Sequence, residues 1–382
     1  MFKSAKSSFL TFLIVSLVVL FFGNIMVISA SQVTGLTLSG SSFAISWKQV
    51  LVSLVSLVIA WIVAQLPLNS LKLIAKIGLL AGLGVMLLLI PFGREINGNK
   101  NWIAFGPVDF QPSEIAKLFL ILWSAFIIER TIKNPKKIFT VLVTGFGLVL
   151  LIVLIGGDLG SAVVIGLILV ALLYLSGSGT SHLALIGTIG VMGVVALIAA
   201  QPYRIARFTA FIHPFKEGIY KNAGWQPAHS IMALASGGLF GAGLGASKQK
   251  WGNLAEAHTD FIFSVIGEEL GLFGTLFTLA AISFLVFSIF KISMSAKDDF
   301  SRYLGLGIGS WIGIQSLINL ASATSLIPVV GVTLPLISYG GSSLVALVGA
   351  LGFVAGIALR NPEVASSINV KWPLNRVKGG NR

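Results

Sequence analysis

LAEAHTDFIFSVIGEELGLFGTLFTLAAISFLVFSIFK, residues 254–291, decides how the rest of the chain is read. Its apolar part, 262–291, exceeds the roughly 20 residues that a helix needs to cross a bilayer. Just before and within the start of that run stand Glu256, His258, Asp260, Glu268 and Glu269. Only 13 of the 382 residues are Asp or Glu, so this is where acid and imidazole chemistry is most concentrated.

Outward from that stretch, 55% hydrophobic and 10% charged residues describe a chain whose main solvent is lipid. Further apolar runs lie near 9–30, 46–66, 71–92, 112–129, 138–156, 160–177, 181–200, 303–326 and 339–360, which makes about ten membrane helices in an all-α polytopic fold. The first run follows Lys3 and Lys6 and ends at Ile28-Ser29-Ala30. It is longer than a signal-peptide core of about 7–15 residues, and so reads as an uncleaved first helix. With no Cys there is neither disulfide nor thiolate metal site, and any metal must be held through oxygen or imidazole.

Orientation follows the short basic connections. Lys3 and Lys6; Lys72 and Lys76; Arg130, Lys133, Lys136 and Lys137; Lys291, Lys297 and Arg302; and Arg360, Lys371, Arg376, Lys378 and Arg382 fall on alternate connections. These belong in the cytoplasm with both termini. Residues 1–360 then form one transmembrane domain with a large outward loop, 201–261, before the eighth helix. Residues 361–382 form a short basic tail, expected to be disordered beside the membrane. Most of the net charge of +13 is explained by insertion and implies no nucleic acid.

The outward loop is itself basic. Arg204, Arg207, Lys216, Lys221, Lys248 and Lys250 face only Glu217 and Glu256, a composition that suits either anionic headgroups or an anionic substrate. Within it SGGLFGAGLGAS, 236–247, reads as a tight re-entrant turn. With Ser247 and Lys248 it is also a candidate pyrophosphate cradle. Elsewhere, Glu114 and Lys117 are three apart on a helix opened by Pro112, and suit an ion pair. Asp158 in GGDLGSA is either the N-cap of the next helix or a cavity residue. Glycines 305, 309 and 313, and 352 and 356, have the spacing of close helix packing. The segment 327–344, rich in Pro and Gly and uncharged, belongs beside the 201–261 loop, because irregular backbone near a bilayer needs protein or a water-filled chamber around it.

Taken in order, NGNKNWIAFGPVDFQPSEIAKL, GDLGSA, ASGGLFGAGLGASKQK, AEAHTDFIFSVIGEELG and LIPVVGVTLPLISYGGSS resemble the signature blocks of the SEDS family (shape, elongation, division and sporulation) over roughly residues 3–360. GEELG and TLPLISYGGSS resemble the division branch more than the elongation branch. The resemblance implies a peptidoglycan glycosyltransferase that polymerises lipid II on the outer face of the bacterial cytoplasmic membrane. Its partners would be a class B penicillin-binding protein and other membrane proteins of the division septum. It places the essential acid at Asp260 and puts Trp102, Gln111, Lys117 and Asp158 around a central cavity. Ala255, Gly156-Gly157 and Asn101 depart from the family pattern, the last removing a cation for which Lys100 is the nearest substitute.

The chemistry agrees with that implication. A carboxylate in a partly dry pocket is a suitable base for a sugar hydroxyl. Lys117, Arg204, Arg207 and a divalent cation, magnesium or manganese, are candidates to offset a departing pyrophosphate. Ser247, Lys248, Glu256, His258, Thr259 and Ser342 complete the expected substrate-binding set, His258 more as an orienting group than a catalyst. Glu268 lies broadly on the face of Asp260 and Glu269 about 100° further round; either could anchor helices or hold a cation, and neither is a candidate catalyst. A flippase for lipid-linked sugars, an elongation polymerase and a division scaffold stay open as alternatives.

Overall fold

The computed structural model describes residues 5–96, 99–105 and 108–367. Lys3 and the basic residues Lys371, Arg376, Lys378 and Arg382 lie outside the described residues. The N-terminal third runs α1 (Ala5–Ala30), α2 (Gln32–Ser39), α3 (Ala44–Ala64), α4 (Leu68–Leu87) and α5 (Leu89–Phe92). Three short strands follow, β1 (Gly93–Ile96), β2 (Asn99–Phe105) and β3 (Val108–Phe110), antiparallel in the order β1-β2-β3. Then come α6 (Pro112–Thr131), α7 (Pro135–Ile155), α8 (Leu159–Leu175), α9 (Thr180–Ala199), α10 (Pro202–Ile212) and α11 (Trp225–Ser236). The chain continues through α12 (Ile262–Met294), α13 (Asp299–Ala323), α14 (Gly341–Leu359) and α15 (Pro362–Ser367).

Helices occupy all ten of the expected apolar runs, and eight are long and apolar enough to cross a membrane by length and composition. The other two are α6, which carries Glu114, Lys117, Glu129 and Arg130, and the 17-residue α8. Their boundaries follow local chemistry. Pro112, Pro135 and Pro202 open helices where a missing N–H does no harm. Asn134, Asp158 and Asp298 cap α7, α8 and α13 through their side chains. The protein is a helical membrane protein with one small sheet that the periodicity did not reveal. The expected tail also differs, since its first part is the short helix α15.

The core is built by close helix pairs, chiefly α3 with α14, α4 with α6, α12 with α13 and α1 with α12. A Cβ at Gly352 would lie 2.5 Å from the Ala60 carbonyl oxygen, and one at Gly356 would lie 2.8 Å from that of Ala64. These two glycines therefore let α14 lie directly on the α3 backbone, as their spacing implied. Gly305 and Gly309 instead make room for side chains of α12, Ser293 and Ile289 respectively, whereas Gly313 has ordinary clearance. Trp47, Leu54, Val58 and Trp61 of α3 and much of α12 turn apolar side chains outward, as lipid-facing helices do. α9 buries no residue at all.

Helix direction alternates, so the chain between α12 and α13 shares one end of the bundle with Ala5, Pro67 and Arg360. The segments around Asp260, Gly331 and Ser338 share the other. The basic connections thus gather at one end and the acid-imidazole stretch at the opposite one. Ser29, at what would be a signal-peptide cleavage point, donates to Glu269 and is part of the packed structure.

Candidate functional site

Asp260 is delivered by a tight turn. Glu256 adopts φ 56°, and its carbonyl accepts from the amides of Thr259 and Phe261, each at 3.2 Å. Its carboxylate accepts from Thr259 Oγ1 at 2.8 Å. The loop between α13 and α14 braces this turn from outside, Ser338 Oγ donating to the Thr259 carbonyl at 2.5 Å and the Tyr339 amide to that of His258 at 2.9 Å. From α13, Asn319 Nδ2 donates to the carbonyls of both Asp260 and Val332. Gly331 lies so near that a Cβ there would be 3.6 Å from Asp260 Oδ2. The two outward segments expected to be neighbours are in contact.

The Asp260 carboxyl takes no hydrogen bond among the described residues. Burial pushes its pKa up from the usual carboxylate value to about 7, Glu256 adds to the rise, Arg207 opposes it and Asp158 contributes a little more. Burial also holds His258 below its ordinary value, with Glu256 opposing, so the ring is neutral near pH 7. His258 Nδ1 is buried without a partner, and the ring lies 5.5 Å from that of Tyr339. Tyr339 is itself raised by burial and by Asp109.

Asp158 turns out to be a hub. One oxygen accepts from the Ser161 amide at 2.9 Å, and the other accepts from Ser161 Oγ, Asn101 Nδ2 and Gln111 Nε2 at 2.8–3.1 Å. It therefore caps α8 and ties it to β2 and to the start of α6. Gln111 also donates its amide to Ser342 Oγ at 3.0 Å, which carries the network to the start of α14. Trp102 is half-buried in β2 opposite Arg94. Lys100 does not take the place of the missing cation: its Nζ donates to the Ile90 carbonyl, while Asn101, which sequence reasoning left unassigned, is the residue on Asp158.

Deeper in the bundle, Lys117 is buried and pairs with Glu114 at 2.8 Å, so the expected ion pair forms. Lys117 also donates to Gln315 Oε1 at 2.9 Å and stands 5.2 Å from the centre of the Trp311 ring. Trp311 Nε1 donates to the same Gln315 oxygen, and Gln315 Nε2 donates to the Thr333 carbonyl. Trp311, Gln315 and Asn319 are spaced four apart and so share one face of α13. That face is a polar ladder from Lys117 to the backbone of Asp260, and Glu114 Oε2 beside it is buried and unpartnered. Gln315 and Asn319 were missed in the sequence because an amide within an apolar helix carries no motif; their spacing was the only available signal.

The glycine-rich loop does something other than cradle a ligand. α12 leaves helical geometry at Gly271 (φ 64°, ψ −158°). The carbonyls of Glu268 and Glu269 accept instead from the amides of Ala242 and Gly243, and the amides of Leu272 and Phe273 donate to Gly238 and Leu239. Gly237 and Gly241 pack directly on this broken backbone, leaving no room for a Cβ. Ser247 Oγ and the amides of Lys248 and Gln249 donate to the Glu268 carboxylate. Lys250 pairs with Glu269 at 3.0 Å, both fully buried, and Ser29 joins them. The donors of Ser247 and of the Lys248 backbone are thus already engaged inside the protein, which leaves the exposed Lys248 side chain as their contribution to any ligand.

The loop arginines lie on α10. Arg204 donates to the Leu197 carbonyl and to Tyr203, and both guanidiniums approach the Tyr203 ring, at 5.4 Å for Arg204 and 5.9 Å for Arg207. Arg207 is the one whose charge reaches Asp260. No cluster of three His, Asp or Glu suited to a metal occurs among the described residues. A cation there would take most of its ligands from water or substrate oxygens, because the Asp158 oxygens are already engaged.

A family model described as a cell cycle protein, covering FtsW, RodA and SpoVE, matches residues 9–362. A relative from Pseudoalteromonas translucida, "Probable peptidoglycan glycosyltransferase FtsW", is 37% identical over 344 residues, covering 88% of this chain and 85% of the relative. Stage V sporulation protein E of Bacillus subtilis is 34% identical over 354 residues, covering 91% and 96%. Among solved structures, a chain from a study titled "Structural coordination of polymerization and crosslinking by a peptidoglycan synthase complex" superposes with a TM-score of 0.74 at 26% identity, covering 91% of this chain and 96% of that one. Identity above 30% over most of the chain and a fold shared end to end agree with the order of the sequence blocks: this chain belongs to the FtsW, RodA and SpoVE family of cell cycle proteins.

Proposed function

We infer that the chain is a peptidoglycan glycosyltransferase that polymerises lipid II, in the manner of its division-branch relatives. The observation that carries this reading is the Asp260 carboxyl, left without a hydrogen-bond partner and raised to about 7. Such a group is a carboxylate about half the time at neutral pH and has the proton affinity that general-base chemistry needs. As carboxylate, Asp260 takes the proton of the acceptor sugar hydroxyl. The hydroxyl oxygen then bonds to the anomeric carbon of the donor, and the bond from that carbon to the lipid pyrophosphate breaks, the electron pair leaving with the phosphate. Arg207 is the cation whose field already reaches this carboxyl, and it offsets negative charge as the pyrophosphate departs. Gln111, Asp158, Asn101 and Ser342 are tied together by their own hydrogen bonds, and the Asp158 charge reaches Asp260.

The bundle end bearing Asp260 faces outward and the basic end faces the cytoplasm, as the distribution of lysine and arginine supports. A class B penicillin-binding protein would be the partner, and the division septum the place of work.

The test is polymerisation of purified lipid II by the full chain, copurified with a transpeptidase that has no glycosyltransferase domain of its own. Wild type should make glycan strands and a folded Asp260→Asn should make none. If neither polymerises while labelled lipid II crosses the bilayer, the protein is a transporter.

A further inference from the structure

The end of the bundle remote from Asp260 holds a cleft of about 440 Å³ between the start of α4, the turn from α12 to α13 and the end of α14. Its lining includes Arg360, Ser301, Lys297 and Asp298 together with Leu68 and Asn69. Arg360 Nη2 donates to the Leu66 carbonyl at 2.9 Å, but Nε and Nη1 are buried with no partner. Ser301 is 2% exposed, and its Oγ is likewise buried and unpartnered. Among the described residues Arg360 makes no ion pair.

Buried guanidinium donors left idle are costly, and although the Asp298 charge reaches Arg360 it makes no hydrogen bond to Nε or Nη1. The first amides of α4 add to this, since Pro67 offers no side-chain cap and the amides of a first helical turn have no partner within the helix. The carboxylate in the lining is Asp298, and one of its oxygens is spent capping α13 through the Ser301 amide at 2.8 Å. Arg360 and Lys297 therefore outnumber it. Idle donors, a surplus of positive charge and a cleft at the level where helices end share one complement, a small oxyanion with several acceptor oxygens.

We propose that this cleft binds a phosphate group, presented either by an anionic phospholipid headgroup or by a free phosphate. Arg360 and Ser301 hold its oxygens from below, and the exposed Lys297 closes on it from the rim. Polymerisation makes no use of this site. Its occupancy would instead join α4, α13 and α14 at the end of the molecule away from the chemistry, and so stabilise the folded bundle by linkage.

The experiment is thermal unfolding of the purified full chain in a neutral detergent, titrated with short-chain phosphatidylglycerol, with phosphatidylcholine of the same chain length, and with inorganic phosphate. Phosphatidylglycerol or phosphate should raise the midpoint saturably and phosphatidylcholine should not. Arg360→Gln should weaken the response about tenfold or more and Ser301→Ala by less, as loss of charged and neutral hydrogen bonds predicts. Lys136→Gln, a charge removed from an exposed position elsewhere, should leave it unchanged. A response to phosphatidylglycerol alone identifies a headgroup site, and one that inorganic phosphate reproduces or competes away identifies a site for phosphate itself. Should Arg360→Gln fail to fold, Lys297→Gln carries the test, with an expected loss of about twofold to fivefold from one exposed charge. Absence of any response to both anions, or an undiminished response in Arg360→Gln or, where that variant does not fold, in Lys297→Gln, overturns the proposal.

Discussion

Asp260 is the residue on which activity should depend most visibly through pH. Its value near 7 sets a rising limb in the pH–rate profile centred there, because the base works only as carboxylate. Arg207 lowers that value and Glu256 raises it, so Arg207→Gln should move the limb to higher pH and Glu256→Gln to lower pH. A profile that moves in neither variant would remove Asp260 from the proton transfer. The folded-state value lies above the unfolded one, so the stability associated with this group is full below pH 3.8 and is lost as pH rises through about 7. Asp260→Asn, neutral at every pH, should accordingly melt no lower than wild type at pH 8 while losing activity, which separates lost chemistry from lost folding. The stretch that holds Asp260 stands out in the sequence because acids are so scarce in this chain, but only the family resemblance points to Asp260 within it. Asn101 was not legible, since its importance comes from Asp158, a residue far away in the chain that it meets only after β2 is laid down.

Among the elements, α13 and the α12 break carry the most consequence. Gln315→Leu should strip partners at once from Lys117, from the Trp311 indole and from the Thr333 carbonyl. Buried groups left unpaired cost about 1–3 kcal/mol each, so the variant should melt well below wild type in detergent and polymerise poorly. Lys250→Met should cost about 3–5 kcal/mol by leaving Glu269 buried without its partner, and Lys250→Met with Glu269→Met together should recover much of that loss. Denaturation of the two variants side by side checks this. The sequence showed both halves of the arrangement, GEELG and the glycine run, but not that they meet. A glycine that accommodates another strand of backbone looks in sequence like a glycine that accommodates phosphate, and only the partner tells them apart. The helices themselves were legible throughout, because an apolar run must hydrogen-bond within itself in lipid, whereas the strands around Trp102 are short and mixed in polarity.

At the scale of the whole molecule, the polar groups are divided between two ends, with the Asp260 chamber at one and the basic connections at the other. The absence of cysteine makes the expected orientation directly measurable. An impermeant thiol reagent applied to intact cells should label Lys248→Cys, and should reach Lys297→Cys only after permeabilisation, both positions being exposed. Reversed labelling would put Asp260 on the wrong side for lipid II polymerisation on the outer face. The alternation of charge made this division readable in advance, and the spacing of Gly352 and Gly356 announced close helix packing without identifying α3 as the partner.

The break at Gly271 also bears on where the loop ends. Leu272 and Phe273 take their hydrogen-bond acceptors from Gly238 and Leu239, so their protection from deuterium is decided by the 201–261 segment and not by the helix they stand in. If that segment opens to admit or release a growing strand, these two amides should exchange with it, while those beyond Thr278 stay protected. The working boundary between the moving part and the fixed frame would then fall inside α12, a full turn or more past the point where the helix begins.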